Sequence, residues 1–91
     1  MSNSPNPAQN LYQKGLSLWQ QQKLNEAFQY FQKAFSETDD KPFLLLSVTQ
    51  LLLDSGYFQQ GIEVLNQYSA ATQNSSILQV RLALLHDKMK S

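Results

Sequence analysis

The chain has 91 residues, with seven basic and seven acidic side chains, no cysteine and a net charge of zero. That length bounds it to one domain with a small core. Cations scattered from Lys14 to Lys90 without a cluster disfavour nucleic acid and anionic membranes as partners, and the lack of cysteine removes any disulfide framework or thiol site.

The first residues, MSNSPNP, lack the positive start and apolar run of a secretion signal, and a short disordered lead over residues 1–7 is expected. Nothing asks for an oxidising compartment, so a cytoplasmic location is the expectation. Asn6-Pro7 predicts a helix start, with Asn as cap and Pro at the first helical position. The amphipathic pattern then runs to about Gln21, with Leu11, Gly15 and Leu18 on one stripe and Tyr12, Leu16 and Trp19 on the next. After a polar turn near Gln22-Lys23, Leu24, Ala27, Phe28, Phe31, Ala34 and Phe35 line one face of a second helix.

Thr38 to Pro42 breaks that helix, and its acids suit the start of the next. From Pro42 to Asp54 the apolar residues spread over three stripes rather than one, which predicts a central helix with protein on several sides. The run falls well short of the roughly 20 residues of a membrane span and contains Ser47, Thr49 and Gln50, so no span is expected. Ser55-Gly56 signals a turn, Tyr57 to Ala70 a fourth helix, Thr72 to Ser75 a polar loop with Ser75 or Ser76 as cap, and Ile77 to about Lys88 a fifth helix. The expected fold class is all-α with five helices.

Shifting the chain by 34 residues superposes its apolar positions. Leu11 falls on Leu45, Leu18 on Leu52, Leu24 on Phe58, Ala27 on Gly61, Phe28 on Ile62 and Phe31 on Leu65; a second shift puts Phe43 on Ile77 and Leu51 on Leu85. Gly15 between Leu11 and Leu18, the small-large-small series Ala27, Phe31 and Ala34, and Gly56 with Phe58 at the second turn are similar to the signature of the tetratricopeptide repeat (TPR). Lys14, Thr49 and Tyr68 depart from it, standing where that family has Leu, a small residue and Ala. The resemblance implies a right-handed helical-repeat superhelix of antiparallel helix pairs. Repeat one would cover about residues 8–41, repeat two about 42–75, and a capping helix about 76–88. Polar Asn10 and Ser17 at one end, and Gln79 and His86 at the other, stand where inner helices have Leu; this suits terminal faces and predicts two repeats plus a cap as the whole unit.

Chemistry-bearing patterns are sparse. His86-Asp87 are adjacent, and neighbours on a helix point about 100° apart, so they make no working pair. No phosphate loop, metal-ligand cluster or activated nucleophile is evident, and neither enzyme activity nor a cofactor is expected. The resemblance instead implies a concave groove lined by the first helix of each repeat. Its expected partner-binding residues are Tyr12, Leu16 and Trp19, then Phe43, Leu46, Gln50 and Leu53, then Ile77, Val80 and Leu84, with Gln9 and Asp87 at the margins. The Lys, Arg and Asn residues with which some members of that family clamp a terminal carboxylate are missing from this stripe. An apolar groove implies an apolar or amphipathic helical segment of another protein, held by an adaptor or small chaperone, or else a second copy of the chain in a homodimer. Trp19 is expected in the groove rather than between the first two helices, so that its truncation should weaken association more than folding.

Overall fold

The computed structural model describes residues 7–90. Among these the chain is all-α, with six helices: α1 (Pro7–Gln20), α2 (Leu24–Glu37), α3 (Lys41–Ser55), α4 (Phe58–Gln67), α5 (Ser69–Gln73) and α6 (Ser76–Lys90). Pro7 is the first residue of α1; its expected cap Asn6 and the rest of the expected lead lie outside the described residues. The backbone divides into two compact units, Met1–Asp39 and Asp40–Ser91.

The first unit is the α1–α2 hairpin. Ala8, Gly15 and Leu18 of α1 are buried, as are Ala27, Phe31, Ala34 and Phe35 of α2, the face that its periodicity marks. Close approach of the two helices depends on Gly15. A Cβ there would sit 2.5 Å from Cε1 of Phe31 and 3.2 Å from the Ala27 carbonyl oxygen, so only a hydrogen fits.

The second unit comprises α3 to α6. Asp40 caps α3, its carboxylate accepting the Phe43 amide at 3.2 Å, and Pro42 sits in the first turn where its missing N–H costs nothing. Leu44, Leu45, Val48, Thr49 and Leu52 of α3 are buried, together with Ile62, Val64 and Leu65 of α4 and Leu78 and Leu85 of α6. Gly61 of α4 repeats the role of Gly15: a Cβ there would come within 2.9 Å of the Leu85 side chain. Ser75 caps α6, accepting from the Leu78 amide at 3.3 Å, and Lys88 and Lys90 complement its C-terminal turn.

One expected helix is two. The segment from Tyr57 to Ala70 breaks at Tyr68, whose backbone (φ −111°, ψ 50°) leaves the helical region, and α5 follows. The break corrects both the count of five helices and the placing of Thr72 in a polar loop. Thr72 is a buried residue of α5, and its hydroxyl is within hydrogen-bonding distance of the Leu65 carbonyl (2.9 Å) and the Tyr68 carbonyl (3.1 Å). A hydroxyl thus satisfies backbone at the interruption. Burial without those acceptors would be costly.

The turns that join α1 to α2 and α3 to α4 match hydrogen bond for hydrogen bond at a spacing of 34 residues. Lys23 N donates to Leu18 O (2.9 Å) and Gln22 N to Trp19 O (3.0 Å); Tyr57 N donates to Leu52 O (2.8 Å) and Gly56 N to Leu53 O (3.3 Å). Each pair is a Schellman termination, with the intervening residue left-handed: Gln22 at φ 65° and Gly56 at φ 83°. The next amides, Ala27 to Lys23 O and Gly61 to Tyr57 O, continue the correspondence. The sequence period is therefore also a period of backbone geometry.

Candidate partner-binding face

Of the expected groove residues, seven lie in the second unit on α3 and α6. Phe43 is 65% exposed, Ile77 61%, Val80 67% and Leu84 38%, large apolar side chains left to solvent in a chain with few to spare. Leu46 and Leu53 are half-buried, and Gln50 is exposed. A hollow of about 320 Å³ is lined by Ser76, Ile77, Val80, Arg81 and Leu84.

Arg81 organises this face. From α6 its Nη1 donates to the Leu46 carbonyl (3.0 Å) and the Thr49 hydroxyl (3.0 Å) of α3, and its Nη2 to Gln50 Oε1 (2.7 Å). Gln50 Nε2 donates onward to Asp54 Oδ1 at 2.8 Å, so both ends of that amide are held. Buried Thr49 lies 2.7 Å from the Leu45 carbonyl, within reach of its hydroxyl proton, while its oxygen accepts from Arg81. The buried Thr49 hydroxyl is thus satisfied by polar pairing on both sides. Burial pulls the Arg81 guanidinium below its ordinary pKa, and the Asp54 carboxylate opposes that shift. The group remains cationic throughout the neutral range.

Nothing in the groove stripe pointed to Arg81. It occupies the i+4 place of the series that begins at Ile77 and runs through Val80 to Leu84, but a stripe read for apolar residues alone omits it. The available signal was its place between Ile77 and Leu84, each within one helical turn of it, on an otherwise apolar stretch.

The remaining expected residues belong to the first unit, where Tyr12, Leu16 and Trp19 are all half-buried. The Trp19 ring lies 6.4 Å from that of Phe28, edge to face, and 6.3 Å from that of Phe31, while Tyr12 lies 5.8 Å from Phe31. Phe28 and Phe31 complete the cluster at 6.3 Å. The expectation that Trp19 stands clear of the α1–α2 pairing is thereby corrected. Its indole is too large to occupy only the outer stripe, and α2 offers aromatic rings one helical turn apart for it to cover.

A hollow of this unit, about 450 Å³, is lined by Pro7, Asn10, Leu11, Lys33, Ser36 and Glu37, none of them an expected groove residue. His86 is exposed, and among the described residues no group of three or more His, Cys, Asp or Glu side chains could hold a metal ion. Among the same residues no helix is long and apolar enough to cross a membrane.

No protein-family model matches the chain, and neither a curated protein nor a solved structure matches it.

Proposed function

We propose that the chain is a non-enzymatic protein–protein interaction module of the tetratricopeptide-repeat kind, which holds an apolar or amphipathic helical segment of a partner protein. The recurrence of one Schellman turn at 34-residue spacing, with buried small residues Ala27 and Gly61 at the same interval, supports the repeat. The observation that carries the function is the solvent exposure of Phe43, Ile77, Val80 and Leu84 around a fixed arginine. Large apolar groups left partly in solvent carry a cost in solubility, and a partner that covers them accounts for that cost.

A photo-crosslinking amino acid at Val80 tests this in cells that express the chain. Adducts to a protein partner are expected from Val80 and not from Gln59, an exposed polar position of α4. Equal labelling from both positions, or none from either, would remove the support for a binding face.

A further inference from the structure

Resting on that proposed function, we infer that the α3–α6 face selects a partner helix whose apolar side carries an acidic residue, and that this carboxylate pairs with Arg81. A guanidinium has five N–H donors. Three of the Arg81 donors are committed to Leu46, Thr49 and Gln50. The Nε–H and one Nη2–H remain, on a side chain that lines the hollow together with Ile77, Val80 and Leu84. While the face is open, water can serve these two donors. A purely apolar partner would strip that water and leave a cation with unmade hydrogen bonds, which low-dielectric surroundings penalise heavily. A lysine or arginine on the partner would add repulsion. A carboxylate meets both demands, accepting two N–H bonds and neutralising the charge.

The chain itself does not supply that group. The carboxylate of the network, Asp54, is joined to Arg81 through Gln50, whose amide spans the gap. Asp87, the one acid of α6, lies six residues on, about 9 Å along the helix. The position of Arg81 also selects a side chain over a chain terminus. Ile77 and Val80 precede it on α6, Leu84 follows it, and the apolar face extends roughly 10 Å from the first of these to the last. An acid that meets Arg81 therefore lies inside the apolar stretch of its partner, flanked on both sides.

The test is a displayed library of amphipathic helical peptides, randomised on the apolar side and selected against the full chain. Enriched peptides are expected to carry Asp or Glu at one register within Leu, Ile and Phe. A synthetic Glu peptide should then bind the unaltered chain at least about tenfold tighter than its Gln twin. With Arg81→Gln that ratio should fall below about twofold, and with Arg81→Lys it should be partly restored. Circular dichroism checks each variant; should Arg81→Gln lose its helices, the Glu and Gln peptides on the unaltered chain decide the matter alone. Enrichment of apolar peptides without an acid, or equal affinity of the twins, overturns the pairing while leaving the binding face in place. No enrichment at all overturns the face as well. A dimer by sedimentation that Val80→Asp dissociates would assign the face to a second copy and likewise overturn the inference.

Discussion

Substituting the residues at the two left-handed turn positions gives the sharpest measure of the internal repeat. Gln22 and Gly56 hold the same place in the same hydrogen-bonded turn, at φ 65° and 83°. A side chain in that region costs about 1–2 kcal/mol, because Cβ crowds the following carbonyl. Glycine avoids this but loses about 0.5–1 kcal/mol more backbone entropy on folding. Gln22→Gly should therefore stabilise the first hairpin by about 0.5–1 kcal/mol. Gly56→Ala should destabilise the second unit by about 1 kcal/mol, and purely through the backbone, since a Cβ at Gly56 meets nothing within 4 Å. Each change would move a melting midpoint by several degrees in a domain of this size. Hydrogen exchange localises the effects: the Lys23 amide, bonded to Leu18 O, reports on the first turn, and the Tyr57 amide, bonded to Leu52 O, on the second. Opposite signs at the two sites are required. Destabilisation by both substitutions, or slower exchange at Tyr57 in Gly56→Ala, would refute the equivalence of the turns.

Trp19→Ala should cost about 2 kcal/mol of stability, below the usual 3–5 for a fully buried aromatic because the indole is only half-covered by Phe28 and Phe31; a urea midpoint unchanged from the parent would contradict that packing. Thr72→Val keeps the shape but removes the hydroxyl at the Leu65 and Tyr68 carbonyls, and a loss of about 1–3 kcal/mol is expected from chemical denaturation. Ala27→Leu should overpack the approach at Gly15 by about 1–3 kcal/mol, whereas Gln29→Leu on the exposed side should leave the unfolding midpoint nearly unchanged. Burial raises the Tyr68 phenol above its ordinary pKa of 10.0, so the folded state holds that proton longer than the unfolded chain. The associated stability is complete below pH 10 and declines as pH rises through the folded pKa, a decline that a pH series of melts should show reduced in Tyr68→Phe.

Helices were legible where one stripe carried the information. The buried face of α2, from Ala27 to Phe35, follows its period, and the Asp40 and Ser75 caps stand at the polar residues that precede α3 and α6. The Tyr68 break was not legible as a break, although Tyr68 was already marked as the wrong size for its position. A large side chain where the pattern calls for alanine signals trouble without stating whether the helix tilts, bulges or stops. The polarity of Thr72 alone suggests a loop, and a hydroxyl that reaches back across the break to carbonyls of the preceding segment is invisible to a hydropathy reading. Trp19 was misjudged because a stripe describes where a Cβ points, whereas an indole reaches well beyond its own stripe. Arg81 was passed over for a related reason. Its value lies in three acceptors 31 to 35 residues away, and no local pattern encodes a partner at that distance.

That distance also sets a timetable. The first hairpin is made of neighbours in sequence and can close as soon as α2 exists, whereas Thr49 waits for a residue 32 positions later. At about 5–20 residues per second, roughly 2–6 s of synthesis separate the two. During that interval α3 lacks the Arg81 donor to its Thr49 oxygen and carries a row of leucines with no α6 to lie against them. A chain-binding chaperone on the ribosome would find its preferred quarry there, and a pause placed after α6 rather than before it would shorten the exposure.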